Sequence, residues 1–503
     1  MLTPERIRTL IEADKLSPIK LQAVDGDRYY NAEHDILKHR IFFVNAQGML
    51  EEDKIKSNIR KPHPFFMENV DQTVQYVLDS EDGIIRSDDP KLQEELDARM
   101  NNNEDYQLHL QEVLTGVVSK GFEYGYCYKG TDGRSVFECA DSLGVVEVRA
   151  EETDDQCEYV IYWFVDRIDA QNRKIKRVQV WDAHNVHFFV QVDDGEIKID
   201  ESEPINPRPH VVYAKGTGKK TLKEQPESLK RYHNGGYGFI PFKRVDNNRR
   251  QTSGLKPIKP LIDNYDLMSC GLSNNIEDTN ESLYVVSGFE GDNLDELMMN
   301  IKAKKTVGVT EGGKVEIQTV NIPVEARRAM MEIDEQNIYR FGMALNLHGL
   351  KDTAATTNIA IKSAYSLLDL KAKKLKARLK SFLRWEIGIV LSEINAEKGT
   401  DYQQKDVYFV FEPELPTNAE ENARIELTEA QKRQTEINTV LGLRDYIDDE
   451  TLLELICEQL EINYNDIKDK LPVPAEMQMP GTEPNEAQKI LDNLPPEEVS
   501  TDE

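Results

Sequence analysis

The stretch from Ile359 to Glu397 constrains this chain more than any other, because it reads as one uninterrupted helix. Ala364, Leu368, Leu375, Leu379, Phe382, Leu383, Ile387, Val390, Leu391 and Ile394 recur with a period near 3.6 and make a single apolar stripe. At the rise of an α-helix it would run about 58 Å, too long for the core helix of a small domain. From Ile359 to Arg384 it carries eight basic residues against one acid, Asp369. Ahead of it, Gly349 and the small polar residues up to Asn358 break the helical pattern, and a second expected helix, Val324 to Leu345, ends at that loop. Two helices joined by a loop, the second locally basic, are the part on which a function should be built.

At 503 residues the chain exceeds one compact core, so at least two domains are expected. No apolar run approaches the 18 or so residues of a membrane span, and the N-terminus lacks the apolar core of a secretory signal, so an intracellular location is expected. Five widely spaced cysteines (Cys127, Cys139, Cys157, Cys270, Cys457) form no C-x-x-C pair and suggest reduced thiols rather than a zinc site or disulfide framework. The net charge of −29 excludes tight wrapping of nucleic acid, so the chain either avoids nucleic acid or touches it weakly through local basic patches.

Residues 1–121 read mainly as helices: Pro4 to Ala13, Tyr29 to Leu37, Pro64 to Leu78 and Tyr106 to Lys120. From Phe122 to Val192 the period drops to two, with strands expected at 122–128, 136–139, 145–148, 159–164, 176–181 and 186–192. An antiparallel sheet with helices on one side, an α+β fold, follows from this order. Residues 200–236 are loop-rich, and a short strand, Phe239 to Phe242, closes this part. Pro257 and Pro260 mark the start of a helix running to about Asn280, on which Leu261, Tyr265, Met268, Leu272 and Ile276 make a narrow stripe. A compact insert follows: strand 283–286, helix 294–304, strand 306–309, a turn at Glu311 to Gly313, and strand 315–320. The helix from Val324 returns. A hairpin-like stalk with a knob results, and its narrow stripes (Leu261, Tyr265, Met268, Leu272; Met330, Ile333, Phe341) are too small a core without neighbours. Beyond the long helix come a strand at 407–411 and charged helices at 418–441 and 449–460. Between Glu476 and Glu503 eight acids face one base, the composition of a disordered acidic tail.

Catalytic motifs fail on inspection. Gly216-Thr-Gly-Lys-Lys-Thr221 approximates a phosphate-binding loop, but Tyr213 and Lys220 occupy the positions that need Gly and Ser/Thr, leaving a solvated basic loop. His184 and His187 fall on opposite faces of a strand and share no metal. Asp263 and Asp266, one helical turn apart, could bind Mg²⁺, but a solvated or intersubunit face near a helix start is the better expectation. No catalytic residue, metal or cofactor is expected. The lysines of 371–384 flank the apolar stripe and serve either solubility or contact with nucleic acid or a neighbouring subunit.

Seven collinear stretches carry a resemblance: Tyr29-Tyr30 with Glu33-x-Asp35-Ile36, Val70-Asp-Gln-x-x-Gln-Tyr76, Lys120-Gly121-x-Glu123-Tyr124, Asn206-Pro-Arg-Pro-His210, Ile240-Pro-Phe-Lys243, Leu261-Ile-Asp-Asn-Tyr-Asp266 and Tyr365-x-Leu-Leu-Asp-Leu-Lys-Ala372. In this order the chain resembles the portal proteins of tailed double-stranded-DNA bacteriophages, of the siphovirus type with a helical crown. The resemblance implies a dodecameric ring with a DNA channel at a capsid vertex, in the virion, assembled in the host cytoplasm. It implies a wing (1–253 and 359–412), stem helices (254–280 and 324–345), a clip (281–323), a tunnel loop (346–358), a crown (413–470) and the tail (471–503). Implied partners are double-stranded DNA without sequence preference, the large terminase subunit, a head-completion adaptor, and major capsid and scaffolding proteins, with no enzymatic activity and no membrane.

The composition suits a channel through which DNA must slide. Each neutralised phosphate adds drag, so an acidic wall with sparse cations is favourable. In the loop, His348 and Lys351 are the groups able to meet phosphate, and small residues such as Thr353, Thr356 and Thr357 suit a flexible gasket. Lys371, Lys373, Lys374, Lys376, Arg378 and Lys380 would lie behind it, reaching the channel or a neighbouring subunit. Two other readings remain: a nucleotide-binding packaging enzyme using 216–221, and a monomeric head adaptor or scaffold without a DNA channel.

Overall fold

The computed structural model describes residues 2–459 except 55, 81, 131–133, 150–156, 204, 211–236, 280–282, 290–292, 294–308, 319–322, 347–357, 412–418 and 443–448. The expected insert helix 294–304, the loop 216–221, the tail 471–503 and the interior of the loop 346–358, with His348, Lys351, Thr353, Thr356 and Thr357, lie outside the described residues. The chain divides into two units, 1–416 and 417–503.

The first unit opens with α1 (Pro4–Lys15) and α2 (Pro18–Tyr30). Each starts on a hydroxyl cap: Thr3 Oγ1 accepts from the Arg6 N–H and Ser17 Oγ from the Lys20 N–H, with proline at the first helical position. The cap at Ser17 corrects the expected helix from Tyr29 to Leu37. The helix instead ends at Tyr30, Ala32 takes a positive φ, and only a 3₁₀ turn, Asp35–Lys38, remains. A hairpin of β1 (Phe42–Val44) and β2 (Leu50–Glu52) follows, then α3 (Phe65–Leu78), β3 (Ile85–Arg86), α4 (Pro90–Leu96) and α5 (Glu104–Lys120). The short α4, capped by Asp89 and started by Pro90, has no counterpart among the expected helices.

The strand region forms two antiparallel sheets rather than one. β4 (Phe122–Lys129) pairs with β5 (Ser135–Ala140) and with β12 (Phe242–Asp246). The second sheet runs β10-β9-β8-β7-β6, from Ile197–Ile199, Asn185–Val192, Lys174–Trp181 and Cys157–Ile168 to Val145–Arg149, and β11 (Arg208–Pro209) pairs with β9. The strand expected at 239–242 begins only at Phe242, after Pro241, which has no N–H to give to a ladder.

Next come α6 (Lys259–Thr279), β13 (Leu283–Phe289), β14 (Val309–Gln318), α7 (Val324–Gly342), the 41-residue α8 (Asn358–Lys398) and β15 (Tyr408–Phe409), which pairs with β3. The turn expected at Glu311 to Gly313 is instead part of β14. Ser287 pairs with Lys314 and Phe289 with Val309, so the glycines are looped out as a bulge, with Gly312 at φ +92°.

The core of this unit is built on α8. Leu368, Leu375, Leu379, Phe382, Leu383, Ile387, Val390, Leu391 and Ile394 are all buried, packed with residues of α3, α4 and α5. Gly125 of β4 lets the Phe382 ring lie directly on the strand, where a Cβ would overlap it. Two acids on α8 are buried: Glu386 accepts from the Tyr106 hydroxyl (2.6 Å) and pairs with His109 Nε2 (2.8 Å), and Glu393 meets Lys129 and the Ser135 N–H (3.1 Å), while the exposed Glu397 accepts from Arg99 (2.6 Å). The second unit contains α9 (Ala419–Leu441) and α10 (Asp449–Gln459), which pack on each other, with Leu452 and Cys457 buried.

Candidate functional site

The paired helices α6 and α7 and the roots of the loop between α7 and α8 form the region that the sequence singles out. Asn264 Nδ2 donates to Asp334 (2.6 Å), and the Arg327 guanidinium donates to the Met268 carbonyl (3.4 Å), so the helices run antiparallel. Gly271 makes room for that guanidinium. Leu261 and Tyr265 are half-buried against the core, Met268 and Leu272 are half-buried, and Met330, Ile333 and Phe341 are exposed.

The two aspartates of α6 are neither a metal pair nor a solvated face. Asp263 accepts from the Tyr29 hydroxyl and from Lys259 Nζ (2.9 Å). Asp266, fully buried, meets His34 Nδ1 at 2.6 Å and His63 Nδ1 at 2.7 Å, and accepts from the His63 backbone N–H at 3.0 Å. Burial raises its pKa, but the hydrogen bonds and charges of the two histidines outweigh burial and hold the carboxyl below its ordinary value. This cluster fixes α6 to the segment around α2 and α3. Sequence reasoning missed it, because the partners lie more than 200 positions away in the chain.

Both roots of the loop rest on α3. α7 ends at Met343, whose φ of +54° turns the chain, and Leu345 is then clamped by Gln72, which donates to its carbonyl (3.1 Å) and accepts from its N–H (2.9 Å). On the far side, Tyr365 stacks on Tyr76 with centroids 5.9 Å apart. Lys371 of α8 donates to the Gly342 carbonyl (3.0 Å) and ties the two roots together. Gln72 and Tyr76 both lie in the stretch Val70 to Tyr76, but nothing in that stretch marks Leu345 or Tyr365 as their partners.

The basic residues of α8 divide in two. Lys371 is half-buried, and burial lowers its pKa to about 8. Lys376 lies 5.2 Å from the Tyr76 ring and 5.7 Å from that of Phe411, Lys380 lies 5.6 Å from Phe411, and Lys373 pairs with Asp369 (2.7 Å). Lys374 is exposed and Arg378 half-buried. His187 pairs with Asp182 (3.2 Å), and the His184 backbone N–H donates to the same carboxylate (2.8 Å). Among the described residues no group of His, Cys, Asp or Glu could hold a metal ion, all five cysteines are free, and no helix is long and apolar enough to cross a membrane.

An α+β body carrying an antiparallel helix pair, an insert at its tip and a loop rooted on the body defines a connector-like class, and comparison with known proteins makes it particular. Residues 20–463 match the family described as phage portal protein, SPP1 Gp6-like. The chain therefore belongs to that family of phage portal proteins, and its role is that of a portal, the connector at a capsid vertex. It is 24% identical to the portal protein of Bacillus phage SPP1 over 75% of this chain and 70% of that protein. It is 22% identical to the portal protein of Clostridium phage phiCD119 over 92% of this chain and 98% of that one. A chain from the neck of a native GTA particle computed with C12 symmetry aligns with a TM-score of 0.36 and 11% identity, over 78% of this chain and 90% of that one.

Proposed function

We propose that copies of this chain close into a ring of about a dozen subunits around a channel for double-stranded DNA, with no catalytic activity of its own. The observation that carries it is the α6–α7 pair, whose membership in a portal chain is joined to exposed apolar side chains at Met330, Ile333 and Phe341 that its own chain leaves uncovered. On this reading α6 and α7 are the stem, 281–323 the clip that docks the large terminase subunit and later the head-completion adaptor, and 413–470 the crown. Residues 1–253 and 359–412 form the wing, which meets major capsid and scaffolding proteins, first in the host cytoplasm and then in the virion. The loop 346–358 faces the channel. The clamp of Gln72 on Leu345 and the Lys371–Gly342 bond support a loop whose position follows α7 and α8 together. The net charge of −29 supports weak, non-specific contact with DNA.

Native mass measurement of the purified chain tests the reading. A closed oligomer is expected, and a monomer at micromolar concentration in moderate salt would overturn it in favour of a lone adaptor.

A further inference from the structure

The segment between α2 and α3, which supplies His34 and His63 to Asp266, also follows α6 beyond that cluster. Residues 57–63 run extended along α6, and alternate backbone N–H groups donate to successive turns of the helix. Ser57 donates to Asp278 Oδ1 (3.0 Å), Ile59 to Asn274 Oδ1 (2.6 Å), Lys61 to Cys270 Sγ (3.1 Å) and His63 to Asp266 Oδ1 (3.0 Å). Two extended residues advance about 6.6 Å and four helical residues about 6 Å, so the two periods stay in register over these four rungs. The chain ahead of the hairpin is tied to the same strap, since Asn58 donates to the His39 carbonyl (3.1 Å) and Arg60 to that of Leu37 (2.9 Å). The β1–β2 hairpin is thereby rooted beside the last turns of α6.

From that root the hairpin carries a bare apolar face. The register Phe42↔Glu52 and Val44↔Leu50 puts Phe42, Val44 and Leu50 on one side, with Val44 66% and Leu50 74% exposed. A two-stranded hairpin without cover is marginally stable in water, and a cluster of large exposed apolar side chains marks an interaction surface.

We infer that this hairpin is an intersubunit arm, which lays its apolar face on the first half of α7 of the neighbouring copy, at Met330 and Ile333. The inference rests on the ring reading, in which a head-to-tail contact joins two different patches of identical chains. Three observations select the second copy. The α6–α7 pairing through Met268 and Arg327 puts the last turns of α6, and so the arm's root, at the same end of the stalk as the start of α7. That half of α7 is where Met330 and Ile333 lie exposed. On the arm's apolar face Glu52 stands opposite Phe42, and the α7 surface carries the exposed Arg328, whose partner within its own chain is Glu332 (3.5 Å).

The test begins with the mass of the wild-type chain, where a monomer overturns the ring reading itself. Given a ring, mild oxidation of a Val44→Cys, Ile333→Cys double variant should yield a ladder of disulfide-linked subunits that neither single variant gives. Leu50→Asp should raise the concentration at which rings dissociate by at least about tenfold, with thermal unfolding unchanged. Where Leu50→Asp is insoluble, replacement of 42–52 by Gly-Gly gives the same dilution readout. A stable wild-type ring whose double-cysteine variant stays unlinked, or whose hairpin variants dissociate at the wild-type concentration, overturns the arm. In that case the face belongs to another partner.

Discussion

α8 and α7 present the same kind of signal in sequence and meet opposite fates. Both show an apolar stripe at helical spacing. On α8 every large stripe residue from Leu368 to Ile394 is buried by its own chain. On α7 the stripe residues Met330, Ile333 and Phe341 are 41%, 52% and 50% exposed, and the face that the chain does bury carries Asp334, Ile338, Tyr339 and Gly342. Periodicity reports that a helix has an apolar face. It does not report whether the cover comes from the same chain. Both helices bury acids against partners of the same chain, Glu386 and Glu393 on α8 and Asp334 on α7, so it is the apolar side chains left bare on the other face that tell the two apart.

The largest break in this contrast should come from α8. Glu386→Ala leaves Tyr106 and His109 buried without their acceptor and should cost about 3–5 kcal/mol, the scale of a broken buried pair. Chemical denaturation should show a large fall in midpoint. An unchanged midpoint would mean that the network contributes nothing to the fold.

Asp266→Asn should come second, because an amide keeps one acceptor for the two histidines. A loss of about 1.5–3 kcal/mol is expected, the worth of hydrogen bonds to a charged group. The native pKa of Asp266 is depressed, so the wild type's advantage is present above the ordinary carboxylate value and fades as pH falls through the native one. Thermal melts at pH 7 and pH 3 should therefore differ less for the variant than for wild type.

Ile333→Asp on α7 should sharpen the contrast by doing the reverse. The site is solvent-exposed within the chain, so the fold should change by no more than about 0.5 kcal/mol. The ring should fail, since a neighbour would have to bury an unpaired charge. Sedimentation alongside circular dichroism separates the two effects, and an intact ring would remove α7 from the interface.

Much of this architecture was legible from residue patterns. α8 was found within a residue at each end because its stripe persists over many turns, and the α+β order followed from the change of period at Phe122. The strands came through as segments but not as two sheets, because alternation carries no record of which strand pairs with which. α2 was missed almost whole, the helix expected from Tyr29 overlapping it by two residues, because the cap at Ser17 mattered more than the apolar spacing around Tyr29. The His34–Asp266–His63 cluster and the Gln72 clamp were out of reach for another reason. Each joins residues whose contact exists only after the chain has folded, and an isolated His or Gln carries no mark of a distant partner.

The smallest expected effect at pH 7 separates the lysines of α8 from one another. Lys371 gives its hydrogen bond to the Gly342 carbonyl and has its pKa lowered to about 8 by burial. In the unfolded chain it titrates near 10.4, so between these values the unfolded state binds more protons than the native one, and stability rises with pH across that window. Lys371→Met should be nearly neutral at pH 7, because relief of a buried charge offsets the lost bond to Gly342. Its melting temperature, compared with wild type, should fall behind as pH rises from 8 to about 10, since only the wild type gains from releasing the proton. The exposed Lys374, replaced by Met, should track wild type across the same range. If both variants keep a constant offset from wild type, Lys371 stays ordinarily charged and its tie between the loop's two roots is a surface contact.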